Sequence, residues 1–126
     1  VGGTRRLAEA AAGHVGRFVF ISSAHAIRSV STEVLDESVI GRPDTPYGQS
    51  KWDAEQLLWQ VATGTGLPTT LLRPVPVYGP GQVGRLGSLI QQAARGWPLP
   101  VGGVTSRRSL VYVDNLADAA LLAAKH

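Results

Sequence analysis

Apolar residues recur along this chain at two spacings, and those spacings divide it into helices, strands and connections. Leu7, Ala8, Ala11 and Ala12 share one face of a 3.6-residue period, so Thr4 to Ala12 is predicted as a helix that Gly13 stops. Arg17 to Ser22, RFVFIS, is instead a continuous apolar run with β-branched and aromatic side chains, as expected of a strand covered on both faces of a parallel sheet. Residues 24–45 lose periodicity and gather Ser, Thr, Asp, Glu and Pro, which predicts a loop, and a long loop after a buried strand is usually functional. Thr45-Pro46 supplies an N-cap and a first-turn proline for a helix to about Thr63, with Gly64 and Gly66 as stops. Its apolar stripe is Leu57, Leu58, Val61 and Ala62, preceded by Trp52 and Ala54. Thr69 to Leu72 is a second strand, and Pro74 to Gly84 is predicted to be irregular. Helical spacing returns over Arg85 to Arg95 through Leu86, Leu89, Ile90 and Ala93. Ser109 to Val113 makes a third strand, and Asp114 caps a last helix through Lys125. Helices alternating with strands, without hairpin signals, predict an α/β fold whose parallel strands are joined by helical crossovers.

Composition narrows the function classes. A chain of 126 residues suits one domain, and 44% hydrophobic against 17% charged residues describes a folding core, not a charge-swollen disordered segment. With no cysteine, disulfide scaffolds, thiolate metal sites and cysteine nucleophiles are excluded together. His14, His25 and His126 are too far apart for a local ligand pair, so no metal is expected. The net charge of +3 is uneven: residues 1–63 carry 6 basic and 7 acidic groups, residues 64–126 carry 6 basic groups against Asp114 and Asp118. The second half therefore favours an anionic partner, and ten of the twelve cations are arginine, whose planar fork suits phosphate. These arginines are scattered, without the dense basic and aromatic footprint of a nucleic-acid binder, so nucleic acid is not expected. No apolar run approaches the 18 or so residues of a membrane span. The absence of methionine, position 1 included, leads to the expectation that the chain begins inside a longer or processed polypeptide.

Candidate chemistry centres on Tyr47 and Lys51, four residues apart in the first turns of the second predicted helix and thus on one face. A chance Tyr-x-x-x-Lys is expected only about 0.05 times at this composition. The plain alternative is an exposed tyrosine beside a lysine that pairs with Glu55 one turn later. Ser22 and Ser23 end a buried strand, Ser23 lying 24 residues before Tyr47, and ligands of open α/β sheets sit beyond the carboxyl ends of strands. Ser22 has an ordinary option too, a bond to nearby backbone. Tyrosine with a pKa near 10 is a poor base at neutral pH, and closing that gap takes roughly 4 kcal/mol of preference for phenolate. Lys51 brings positive charge to the face where it is needed.

Ser22-Ser23 after the strand, Y47GQSK51, L72RPVPVYGPG81 and R108SLVYVDNLADA119 together resemble the extended short-chain dehydrogenase/reductase family, the NAD-dependent epimerase/dehydratase group. V1GGTRRLAEAA also looks like the helix that precedes this family's serine-bearing strand, and S22SA, the proline-rich PVPVYGPGQ, R95GWPLPVGG and R107RSLVYVDNL in combination are similar to bacterial UDP-sugar 4-epimerases. The resemblance implies a partial Rossmann-like, doubly wound parallel sheet. Residues 1–126 would form a single incomplete domain, the C-terminal part of the NAD-binding region plus the start of the substrate-binding region from about residue 80. It implies Ser23, Tyr47 and Lys51 as catalytic residues, with Ser22, Tyr47, Lys51 and Pro74 meeting the cofactor. Ser23 and Arg108 would meet a nucleotide-sugar substrate, Arg108 through its diphosphate. Pro76 falls where many relatives have a diphosphate-binding asparagine. The implied activity is 4-epimerisation of a UDP-hexose or UDP-N-acetylhexosamine by transient hydride transfer to NAD, with NADP left open, in a cytoplasmic protein that forms a homodimer in many relatives. Alternatives are an NAD(P)-dependent dehydrogenase or reductase of the same family and a truncated, non-catalytic nucleotide-binding remnant. A 4,6-dehydratase needs an acid just after the catalytic hydroxyl, which Ser23-Ala24-His25 lacks.

Gly79-Pro80-Gly81-Gln82-Val83-Gly84 matches G-x-G-x-x-G formally. Proline fills its second position and no acidic residue follows before Asp114, so it is read as a glycine-rich loop, not a dinucleotide fingerprint. Trp52, Trp59 and Trp97 are read as packing residues and His25 as a solvated loop residue.

Overall fold

The computed structural model describes residues 1–31, 34–81, 85–98 and 108–126, with the side chains of Arg85 and Leu86 left aside. The described residues form, in order, α1 (Gly2–Ala11), β1 (Phe18–Ile21), a 3-10 turn (Ala24–Ala26), α2 (Pro46–Thr65), β2 (Thr69–Leu72), β3 (Val77–Tyr78), α3 (Arg85–Ala94), β4 (Val111–Tyr112) and α4 (Val113–Lys125).

Among the described residues both strand pairs are parallel, which is the expected α/β arrangement. Phe18 to Ile21 of β1 align with Thr69 to Leu72 of β2, so α2 is the crossover that carries the chain back to the end of the sheet where β1 began. The second pair, Val77-Tyr78 with Val111-Tyr112, corrects the prediction that Pro74 to Gly84 is irregular throughout. Two residues suffice there because Pro76, whose nitrogen cannot donate, still offers its carbonyl to Val111 N at 3.1 Å.

Local chemistry explains the ends of α2. The Thr45 side chain accepts from Gly48 N at 3.0 Å, Pro46 occupies the first helical position, and Gly66 takes the left-handed conformation at φ 71°. Gly64 does not stop the helix but lies inside its last turn. Asp114 is not the cap of α4. Tyr112 holds that position, and Asp114 is a first-turn acid facing the positive end of the helix dipole.

The core gathers Ala8 of α1, Leu58 and Val61 of α2, and Leu67, with Phe18, Phe20 and Leu71 of the first sheet packed against them. Leu58 and Val61 belong to the predicted stripe, and Leu58 is fully buried. Trp59 and Trp97 lie outside the core, being 46% and 64% exposed, whereas Trp52 is half-buried. Gln82 to Gly84 of the glycine-rich run, Leu99 to Gly103 of the R95GWPLPVGG segment, and Arg107 lie outside the described residues.

Candidate active site

The carboxyl ends of β1 and β2 open onto a cavity of about 440 Å³. Ser22, Ser23, His25, Tyr47, Lys51 and Pro74 line it, together with Ile21, Val75 to Val77 and Leu116. Five of the six residues assigned above from the sequence thus share one hollow, although they come from a strand end, a helix face and a second strand end. Arg108 is exposed and does not line this cavity. Gly79 to Gly81 line a separate hollow of about 330 Å³ with Tyr78 and Tyr112, whose rings lie 5.3 Å apart.

Tyr47 and Lys51 stand one turn apart on α2. Lys51 Nζ lies 5.9 Å from the centre of the Tyr47 ring and 5.6 Å from that of Phe20, and donates to the Ile21 carbonyl at 3.4 Å. The alternative pairing of Lys51 with Glu55 does not occur, because Glu55 is fully buried and held by Arg73 at 2.7 Å. The Lys51 ammonium is left at the mouth of the strand ends, where it offers positive charge to the cavity.

The two serines differ. Ser23 caps the 3-10 turn, its hydroxyl oxygen accepting from His25 N at 3.2 Å, and a hydroxyl that accepts one bond can still donate another. Ser22 is tied by its backbone, Ser22 N donating to the Leu72 carbonyl at 2.7 Å. Its Oγ, however, is buried and has no hydrogen-bond partner among the described residues, so the ordinary reading of a serine bonded to nearby backbone is not met. A buried hydroxyl without a partner costs free energy that a bound polar ligand recovers. Ser22 and Ser23 line the cavity beside the Lys51 ammonium and the Tyr47 phenol, and this set of polar residues fits a polar ligand.

His25 corrects the sequence reading. It is half-buried on the 3-10 turn, lines the cavity, and meets the Tyr47 ring edge-on at 5.9 Å between centroids. The signal for it was its place two residues after Ser23, just past a strand end. Gly48 makes this approach possible, since an added Cβ there would overlap the His25 carbonyl oxygen. Outside the cavity, the Ser29 hydroxyl donates to Asp44 at 2.8 Å and Ser29 N at 2.9 Å. The Ser29 hydroxyl, then its N–H, holds the Asp44 carboxyl below the usual carboxylate range. Among the described residues no group of three or more His, Cys, Asp or Glu is placed to hold a metal, and no helix is long and apolar enough to cross a membrane.

Known proteins resemble this chain over nearly all of its length. It is 36% identical over 116 residues to a UDP-glucose 4-epimerase of Vibrio cholerae, a match covering 89% of this chain and 35% of that protein. It is 30% identical over 120 residues to the N-acetyl-alpha-D-glucosaminyl-diphospho-ditrans,octacis-undecaprenol 4-epimerase of Escherichia coli O157:H7, covering 94% and 36%. Among solved structures, UDP-glucose 4-epimerase of Thermus thermophilus in complex with NAD superposes with a TM-score of 0.78 at 29% identity, covering 98% of this chain and 44% of that one. The chain thus spans about a third of the length of these two curated relatives. A family model for the NAD dependent epimerase/dehydratase family matches residues 1–126, and the chain belongs to that family.

Proposed function

We propose that this chain carries the catalytic centre of a nucleotide-sugar 4-epimerase that works with NAD. The observation that carries the reading is the meeting of Tyr47, Lys51, Ser22 and Ser23 around one cavity at the carboxyl ends of two parallel strands. Relatives named as UDP-glucose 4-epimerases and the NAD complex of the Thermus enzyme support the substrate class and the cofactor.

In this reading Tyr47 is the acid–base residue. Its phenolate takes the proton of a sugar hydroxyl and later returns it, with the Lys51 ammonium supplying the positive charge that such an anion needs. Ser23 donates a hydrogen bond to the same sugar oxygen. Ser22, Lys51 and Pro74, which line the same cavity, hold the cofactor. NAD, when bound, supplies the acceptor and then the donor of the hydrogen at the reacting carbon. Arg108, exposed and able to form two parallel bonds, takes the diphosphate. Residues up to about 80 belong to the cofactor-binding part and those after it to the start of the substrate-binding part.

The test is product analysis. The full-length protein, incubated with NAD and either UDP-glucose or UDP-N-acetylglucosamine, is expected to form the 4-epimer with no net rise in NADH absorbance. Stoichiometric NADH would move the assignment to a dehydrogenase of the same family. No turnover of any UDP-sugar would remove it.

A further inference from the structure

Glu55 is fully buried on α2, two turns beyond Tyr47 and one beyond Lys51 at the same four-residue spacing. Its carboxylate receives Arg73 Nη2 at 2.7 Å and Nε at 3.1 Å to each oxygen. Arg73 directly follows β2, and its guanidinium lies 5.8 Å from the centre of the Trp52 ring, which in turn lies so close to Gly41 that a Cβ there would overlap it. The Glu55 carboxylate is fully buried and the Arg73 side chain half-buried, and such a pair adds little net stability over an apolar pair of similar volume, so its presence is better explained by the geometry it fixes. The forked guanidinium leaves Arg73 one orientation, and its neighbours on either side hold the serine turn. Leu72 O accepts from Ser22 N at 2.7 Å, and Pro74 O accepts from Ala24 N at 2.9 Å.

We infer that Glu55 and Arg73 are positioning residues that lock the helix bearing Tyr47 and Lys51 to the strand end bearing the Ser22-Ser23 turn. The path runs through named bonds: from α2 through Glu55 to Arg73, from Arg73 along the backbone to Leu72 and Pro74, and from their carbonyls to Ser22 and Ala24 on either side of Ser23. Neither side chain lines the cavity. The consequence for catalysis rests on the epimerase reading, whereas the mechanical coupling does not, and the two can be tested apart.

In the full-length protein, Glu55→Gln keeps the shape and removes the charge. Arg73→Lys keeps the charge and removes the fork, and serves should Glu55→Gln fail to fold. The Ala24 N–H is expected to exchange with solvent at least about 10-fold faster in the folded variant while the Phe20 N–H of β1 is unchanged, the signature of a local opening. kcat for the nucleotide sugar is expected to fall about 10- to 100-fold with KM within about twofold, because an ångström of misplacement affects the reacting geometry more than binding. Unchanged Ala24 exchange, or wild-type kcat in a folded variant, overturns the inference. A wild-type protein that turns over no UDP-sugar overturns the epimerase reading alone, since faster Ala24 exchange would still uphold the coupling.

Discussion

Residues 1–72 and residues 74–126 share the same alternation of helix and strand, yet only the first part has a core beneath it. In the first, α1 and α2 close over four aligned residue pairs and bury Leu58 and Ala8 completely. In the second, the strands align over two pairs, Gly87 is the sole buried residue among those described, and α4 buries none of its residues although it touches β1 and β2. Apolar content does not separate them, since Leu121 and Leu122 of α4 are as apolar as Leu58 but 59% and 57% exposed. A helical apolar face becomes core only when a second element is laid across it. The candidate site follows the same division: its phenol, ammonium and serines all come from the packed half, and only Pro74 to Val77 and Leu116 reach it from the other.

The contrast yields graded predictions. Leu58→Ala should cost about 2–5 kcal/mol, as expected for a large-to-small change at a filled site, read from the denaturant midpoint. Gly48→Ala should cost about 1–3 kcal/mol by forcing the His25 carbonyl away from α2, and turnover should fall with it because Ser23 caps the same turn. The Ser29–Asp44 tether should respond to acid. Because hydrogen bonds depress the folded pKa of Asp44, its contribution is present above the unfolded carboxylate range and is lost as pH falls through the folded value, below about pH 4. Amide exchange at Ser29, faster in acid after correction for the intrinsic rate, checks this. Smallest of all, Leu121→Ala in the 126-residue chain should change stability by less than about 0.5 kcal/mol. A loss there equal to that of Leu58→Ala would break the contrast.

What the sequence revealed was what local chemistry controls. Thr45 and Pro46 announce the start of α2 because capping and a fixed φ need no distant partner, and Tyr47 and Lys51 follow from the helical period. What it hid was set by partners far along the chain. Val77-Tyr78, framed by Pro76 and Gly79, becomes a strand only through Val111-Tyr112. Glu55 invites pairing with Lys51 one turn away, yet binds Arg73 eighteen residues on, across the end of β2. His25 reads as a loop residue until a 3-10 turn, packed onto Gly48, brings it to the cavity.

Tyr47 is the group proposed to move the proton. The direct measurement is UDP-sugar 4-epimerisation by Tyr47→Phe beside the unaltered full-length protein, with near-ultraviolet circular dichroism as the check on folding. The phenol is 54% exposed, so removing its oxygen should leave the spectrum and the unfolding midpoint unchanged while turnover disappears. Turnover at the unaltered rate in a folded Tyr47→Phe variant would contradict the account.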